Sequence, residues 1–184
     1  ASRWGDQPVL WGAVYGDAYA GFLRAVLYGG GLVVLLSSRA YLDAFRVPAG
    51  EFLALLLLAL VGGGLMVAAA DLVTFYTALE LMSLSSYVLA GMLREDPRSG
   101  EASLKYFLNG AASSAILLFG LSLLYGLTGT TRIAALGPAL ADDHPALVAV
   151  ALAFLLAGLG FKFASVPFHL WVPDTYEGAP VPLA

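Results

Sequence analysis

Long apolar runs, separated by short polar segments, make up most of the chain. Four of these runs approach or exceed the roughly 20 residues that an α-helix needs to cross a bilayer core. The predicted spans cover residues 18–38, 51–70, 72–93 and 101–127, and a fifth runs from Pro145 to a break around Pro167. We therefore predict an all-α polytopic membrane protein with about five transmembrane helices, the last of them broken near Pro167.

The composition indicates a membrane protein and argues against several kinds of metal and cofactor site. Of the 184 residues, 60% are hydrophobic and only 12% are charged, whereas a soluble domain has about 25% charged residues. There is no cysteine, so the chain itself can form neither a disulfide nor a cysteine-ligated metal or iron–sulfur centre. Its two histidines, His144 and His169, are too few and too far apart to suggest a haem or zinc site. We expect no metal site.

The N-terminal stretch, residues 1–17, differs from the apolar runs. It mixes polar residues with Trp4, Trp11 and Tyr15, and such aromatic rings suit the membrane–water interface. We predict an interfacial stretch over 1–17 and a transmembrane helical domain over 18–184. The stretch has no signal-peptide pattern. Because the chain starts without methionine and stops just after a proline-rich turn, we expect it to be a fragment cut at both ends.

Basic residues predict the orientation of the chain. With five spans, the connections 39–50 and 94–100 fall on one side of the membrane and carry four arginines, whereas Arg3 and Arg132 fall on the other. Arginine and lysine are enriched in cytoplasmic loops. We therefore predict that the two arginine-rich connections are cytoplasmic and that the N-terminal stretch lies outside.

Glu80 is an acidic residue in the middle of the third predicted span. It lies about nine residues into the span, or roughly 13 Å along a helix, which is near the bilayer midplane. A carboxylate at that depth costs about 2.5–3.5 kcal/mol on insertion scales, so Glu80 should face protein or internal water. Ser83, Ser85 and Ser86 are close enough to supply hydrogen bonds or hold water. The alternative is a structural hydrogen-bond anchor between helices.

Lys162 combines a buried amine with the break in the fifth span. Pro167 follows five residues later, and His169 comes directly after the break. The side chain is either held in protein, where an ionisable group in a membrane helix is functional by default, or extends to the interface. We expect backbone carbonyls left uncapped before Pro167 to favour its charged form.

A second lysine allows two interpretations. Lys105 follows Glu101 by four residues, so the two side chains can form an ion pair on one helix face. Either Lys105 lies on a proton path, or it simply pairs with Glu101 or extends to the interface. Two small-residue segments, 62–64 and 110–115, predict close helix packing.

Three motifs carry a resemblance to a known family. They are LELMSLSSYVLAGM from Leu79, EASLKYFLNGAASSAILLFGLSLLYGLTGTT from Glu101, and GLGFKFASVPFHLWVPDTYEGAP from Gly158. In this order and spacing they closely resemble subunit N of proton-pumping NADH:quinone oxidoreductase, respiratory complex I. The resemblance covers about residues 50–180. It is weaker to the other antiporter-like subunits and to cation/proton antiporter complexes.

The resemblance implies a fold of fourteen transmembrane helices with two inverted five-helix repeats, each with one broken helix. The five spans then correspond to the third to seventh helices, a partial antiporter-like repeat. Glu80 matches the family's fifth-helix glutamate, Lys105 its sixth-helix lysine, Lys162 its seventh-helix lysine, and His169 the histidine after the break. The sequence departs from the family at its end, which reads VPLA after GAP instead of continuing into the eighth helix.

The function implied by the resemblance is proton translocation through Glu80, Lys162, Lys105, His169 and water. Redox chemistry in partner subunits would drive it, and FMN, iron–sulfur clusters and quinone would belong to those subunits, leaving this chain without a cofactor. The expected partners are other membrane subunits, neighbouring antiporter-like subunits and lipid, with no nucleic acid. The expected location is the bacterial inner membrane. Alternatives are a cation/proton antiporter subunit, a non-transporting membrane scaffold, or part of an unrelated solute carrier.

Overall fold

A computed structural model describes residues 9–140 and 145–183, and this part of the chain is built of α-helices. The seven described helices are α1 (Ala18–Ala44), α2 (Ala49–Val67), α3 (Leu72–Ala90), α4 (Pro97–Thr128), α5 (Ile133–Leu140), α6 (Pro145–Lys162) and α7 (Val172–Gly178). Five of them, α1 to α4 and α6, are long and apolar enough to cross a membrane. The predicted all-α polytopic class and its five spans are confirmed. Arg3, Trp4 and His144 lie outside the described residues.

The helix bounds differ from the predicted spans mainly outside the apolar runs. The first helix continues past Ser38 to Ala44, and α4 begins at Pro97 instead of Glu101. Helical hydrogen bonding can continue beyond the apolar core, where hydropathy carries no signal. Between the fourth and fifth predicted spans the structure has the short helix α5.

Aspartates define where three helices begin. The carboxylate of Asp17 accepts from the amide of Ala20 at 2.7 Å, and Asp71 accepts from two amides of the first turn of α3 at 2.9 Å. Asp96 caps α4, whose first residue is Pro97. Such side chains satisfy amides that have no partner within the helix. Only residues 68–71 separate α2 from α3.

Glycines allow the helix backbones to approach closely, as the small-residue segments predicted. A Cβ on Gly62 would lie 2.6 Å from the amide nitrogen of Met82, so α2 and α3 pack backbone to backbone. On the other side of the bundle, a Cβ on Gly158 would lie 2.8 Å from Cα of Leu117. Leu117 is fully buried and holds α4 against α6. The first contact joins α2 to α3 and the second joins α4 to α6. Gly110 on α4 admits Tyr87 of α3 in the same way, so α3, α4 and α6 meet at one junction.

Connections alternate between the two ends of the bundle. At one end Arg94, before α4, forms an ion pair of 2.7 Å with Glu51 at the start of α2. At the other end the amide of Leu72 donates to the carbonyl of Thr131 at 2.8 Å. The predicted separation of the connections is confirmed. Which end is cytoplasmic stays a prediction.

The break in the last span comes earlier than predicted, because α6 ends at Lys162 and not at Pro167. The amide of Ser165 donates to the carbonyl of Gly160 at 2.9 Å, and that of Ala164 donates to Phe161 at 3.1 Å. With Ala164 in the left-handed region at φ 52°, this is a Schellman ending. The chain has turned away from the helix before the proline is reached.

These hydrogen bonds correct one expectation about the break. The carbonyl of Gly160 also accepts from the hydroxyl of Ser165, and that of Phe161 accepts from the indole nitrogen of Trp171 at 3.2 Å. The expectation that uncapped carbonyls at this end favour the charged form of Lys162 is therefore wrong. A helix end in the membrane must have its polar groups satisfied by protein, and here the following turn does so.

Candidate functional site

One face of α3 presents a carboxylate and two hydroxyls to the junction of α3, α4 and α6. Glu80, Ser83 and Tyr87 are spaced by three and four residues, which places them on the same helix face. Ser83 and Tyr87 are buried, each 3% exposed, and Glu80 is half-buried. Glu80 is the one charged residue of this helix.

Lys162, the last residue of α6, is directed at this face. Its half-buried side chain donates from Nζ to Ser83 Oγ at 2.7 Å and to Tyr87 Oη at 3.0 Å. The hydroxyl of Ser83 donates a hydrogen bond to the carbonyl of Leu79 at 2.7 Å, so its oxygen is available as an acceptor. The amine is thus held by protein hydroxyls, as predicted for a lysine that is not extended to the interface.

Glu80 is bound from α4 instead of from α6. Ser114 Oγ donates to Glu80 Oε1 at 2.5 Å. The neighbouring Ser113 Oγ donates to the carbonyl of Gly158 at 2.8 Å. Among the residues that the structure describes, no ion pair within 4.0 Å joins Glu80 to Lys162. The two predicted charges therefore share one junction, but their direct partners are hydroxyl groups.

An aromatic cluster covers the junction on the side of α7. Tyr106 stacks on Trp171 with ring centroids 4.5 Å apart, and Phe161 lies 4.8 Å from Trp171. Tyr87 meets Tyr106 edge-on at 4.5 Å, and its hydroxyl packs against Gly110, where a side chain would not fit. The turn after α6 thereby closes over the site.

Lys105 lies outside this junction, between α4 and α7. Its Nζ is 2.7 Å from Glu101 and 2.6 Å from Asp174, and 42% of its side chain is exposed. The predicted pairing with Glu101 is confirmed. A second pair nearby, Arg98 with Glu177 at 3.7 Å, also joins α4 to α7.

His169 lies in the turn between α6 and α7 and is half-buried. Its Nδ1 is buried and has no hydrogen-bond partner among the described residues. Within that part of the chain no hydrogen bond or ion pair connects it to Glu80, Lys105 or Lys162. A cavity of about 150 Å³ is lined by Trp171 and by Thr175, whose buried hydroxyl likewise lacks a partner within the described chain.

Of the four predicted site residues, the structure brings Glu80 and Lys162 to one junction and leaves Lys105 and His169 apart from it. Sequence reasoning missed the roles of Tyr87 and Ser114. Tyr87 carried a usable signal, because it follows Glu80 by seven residues and so shares its helix face. Nothing in the sequence distinguished Ser114 from the other serines of the membrane helices.

Comparison with known proteins identifies the family. Residues 69–184, which include all four predicted site residues, match the model of the NADH:quinone oxidoreductase/Mrp antiporter transmembrane family. The chain belongs to this family. The match covers well over half of the chain and includes the junction of α3, α4 and α6.

Curated relatives confirm the resemblance to subunit N. The chain is 45% identical over 97% of its length to NADH-quinone oxidoreductase subunit N of Desulfitobacterium hafniense. It is 46% identical over 97% of its length to the subunit N of Erythrobacter litoralis, and 46% over 96% to NAD(P)H-quinone oxidoreductase subunit 2 of a Synechococcus strain. It spans only about 34–37% of these relatives.

Solved structures of the family come from three kinds of complex. A chain of respiratory complex I from Thermus thermophilus is 36% identical with a TM-score of 0.78, covering 98% of this chain and 38% of that one. A chain of an archaeal membrane-bound sulfane sulfur reductase is 30% identical with a TM-score of 0.84, covering 97% and 36%. A chain of the Mrp complex from Dietzia is 30% identical with a TM-score of 0.73, covering 92% and 32%.

Proposed function

We propose that this chain is part of an antiporter-like membrane subunit of an NADH:quinone oxidoreductase, and that it moves protons through the junction of α3, α4 and α6. The observation that carries the proposal is the half-buried amine of Lys162, held by the hydroxyls of Ser83 and Tyr87 on the helix face that also carries Glu80. An ionisable group kept at a protein junction within a membrane is a functional group by default.

The physical basis of proton movement lies in two opposing effects on Glu80 and Lys162. Burial favours the neutral form of each group, whereas mutual attraction favours the charged forms. A change in their separation or in local hydration therefore transfers or releases a proton. Lys162 is the group that stores the proton, and Glu80 is the partner that modulates it.

The proposed proton path also includes Lys105 and His169, on the side of α7. His169 sits in the turn that closes the site, and an imidazole can both accept and donate a proton, which suits a relay through water. Lys105 is already paired with Glu101 and Asp174, so it holds α7 against α4 in addition to its predicted place on the path. Neither residue contacts the central pair directly within the described chain.

The driving energy and the partners are inferred from the resemblance to subunits of NADH:quinone oxidoreductase. We infer that redox chemistry takes place in other subunits, which hold FMN, iron–sulfur clusters and quinone, and that this chain binds none of them. Its partners are then neighbouring membrane subunits and lipid. The bacterial relatives favour the bacterial inner membrane as its location.

The test is NADH-driven proton uptake by membrane vesicles that contain the assembled complex. Lys162→Ala should lower proton uptake strongly while NADH oxidation and assembly stay largely intact. Arg39→Ala, an exposed cation on α1, serves as the matched control and should leave uptake unchanged. Uptake at the unmodified level in Lys162→Ala would contradict the proposal and favour a scaffold without transport.

A cation/proton antiporter subunit is the second candidate, favoured by the likeness to the Mrp complex of Dietzia. Sodium and proton fluxes measured with and without NADH separate the two. Sodium-coupled flux that needs no NADH would support the antiporter. Proton uptake that follows NADH oxidation and is independent of sodium would support the oxidoreductase.

A further inference from the structure

Serines within the described bundle use their hydroxyls in two different ways. On α3, Ser83, Ser85 and Ser86 each donate to the carbonyl four residues earlier in their own helix, at 2.7–2.8 Å. This is the usual arrangement for serine inside a helix. On α4, Ser113 and Ser114 instead donate across to other helices.

Ser113 and Ser114 differ in what they hold. Ser113 binds the backbone carbonyl of Gly158, which can move only with α6 itself. Ser114 binds the carboxylate of Glu80, which can move by rotating its own side chain. The hydroxyl–carboxylate distance of 2.5 Å is in the short range typical of a charge-assisted hydrogen bond. Ser114 is itself buried, with 4% exposed.

Lys162 contacts the face of α3 that carries the same carboxylate. It is hydrogen-bonded to Ser83 and Tyr87, which follow Glu80 by one and two helical turns on one face, and side chains one turn apart are neighbours. A rotation of Glu80 away from α4 therefore brings its carboxylate toward Lys162. That movement requires the hydrogen bond from Ser114 to break.

We propose that Ser114 is a positioning residue that competes with Lys162 for the carboxylate of Glu80. Glu80 then has two positions, one on Ser114 and one on Lys162, and the hydroxyl keeps the ion pair from becoming permanent. The inference rests on the proposed function of the Glu80–Lys162 pair. It adds a residue on α4 to that pair and assigns it a defined task.

The experiment compares Ser114→Ala with Ser113→Ala and Ser114→Thr in the assembled complex. Infrared difference spectra between the oxidised and NADH-reduced states give the carboxylate band of Glu80, identified as the band lost in Glu80→Gln. Hydrogen bonds to charged groups are strong enough that removing the hydroxyl should change the ratio of the two Glu80 positions by about tenfold. Ser114→Ala should shift the band and lower proton uptake, and Ser114→Thr should restore both.

Ser113→Ala is the matched control, since it removes a buried hydroxyl one residue away that touches only backbone. It should leave the Glu80 band in place. A Glu80 band that is unmoved in Ser114→Ala would overturn the inference. If Glu80→Gln and Lys162→Ala both leave proton uptake intact, the proposed function fails, whereas the band in Ser114→Ala still decides whether Ser114 positions Glu80.

Discussion

The amine of Lys162 donates a hydrogen bond of 3.0 Å to the hydroxyl of Tyr87, two helical turns beyond Glu80 on α3. Tyr87 can occupy this place because Gly110 on α4 leaves room for its ring. Three helices thus build the contact, with α6 contributing the amine, α3 the hydroxyl and α4 the space. The contact ties the end of the broken span to the helix that carries the carboxylate.

Tyr87→Phe should lower proton uptake without disrupting assembly. The ring keeps its contacts with Tyr106 and Gly110, but Lys162 loses one of its two hydroxyl partners. A hydrogen bond to a charged group contributes about 1.5–3 kcal/mol, so the charged state of the amine is disfavoured. Proton uptake per NADH oxidised is the measurement. Tyr125→Phe, at an exposed position of α4, is the control, and equal uptake in both variants would contradict this role.

Lys162→Arg should restore little of the transport lost in Lys162→Ala. Arginine stays protonated under all physiological conditions and cannot release a proton during a cycle. Its planar group also requires a different arrangement from the compact ammonium that fits between Ser83 and Tyr87. Proton uptake and NADH oxidation are measured side by side in the two variants. Uptake at the unmodified level with arginine would show that Lys162 supplies only a fixed positive charge.

The packing of α2 on α3 predicts a large difference between two glycine substitutions. A Cβ on Gly62 would approach the backbone of Met82 to 2.6 Å, whereas Gly29 on α1 has nothing within 4 Å. Gly62→Ala should therefore destabilise the bundle by about 1–3 kcal/mol, as overpacking does. Gly29→Ala should be neutral or slightly stabilising, because alanine favours helix. Resistance of the purified protein to thermal unfolding in detergent measures both, and equal stabilities would contradict the close packing.

The five spans were predictable because each depends on a local property, the length of an apolar run. Asp96 was a local cue that was not used, because it caps α4 within one turn and the helix begins at Pro97 instead of the predicted Glu101. Glu80 and Lys162 stood out because charge is rare inside a membrane helix. Their arrival at one junction follows from the packing of α4 between α3 and α6, which glycines at 110 and 158 allow.

Other features depended on contacts that periodicity does not encode. The end of α6 at Lys162 rests on Ala164 in a left-handed conformation, where glycine is the usual signal. The predicted break was based on Pro167, which lies five residues beyond the observed end of α6. The partners of Glu80 and Lys105, Ser114 on α4 and Asp174 on α7, are 34 and 69 residues away along the chain. Only the packed structure brings them together.

The orientation of the chain in the membrane gives a labelling prediction. Cysteines placed at Glu95 and at Thr130 lie at opposite ends of α4, in connections that the structure separates. The excess of arginine at the first end predicts that Glu95→Cys reacts from the cytoplasmic side and Thr130→Cys from the other. An impermeant thiol reagent applied to intact cells and to inverted vesicles measures this. Reaction of both sites from one side would exclude the five-span arrangement.

Lys105 and Asp174 provide a charge-exchange test of how α7 is held. Lys105→Asp places a third acidic group beside Glu101 and Asp174, so repulsion should release α7 from α4 and lower proton uptake. The double variant Lys105→Asp with Asp174→Lys restores the attraction with its direction reversed. It should bring α7 back, and proton uptake in this variant then shows whether an amine is needed at position 105 itself. Amide hydrogen exchange over residues 172–178 reports the position of α7 independently of transport.

The matched control for this exchange is Arg94→Glu, which disrupts an exposed ion pair with Glu51 away from α7. It should change neither the hydrogen exchange of α7 nor proton uptake. The double variant then separates the two roles considered for Lys105. Restored protection of α7 together with restored uptake means that Lys105 acts by holding α7. Restored protection without restored uptake means that an amine is needed at position 105 itself, as expected if Lys105 carries protons.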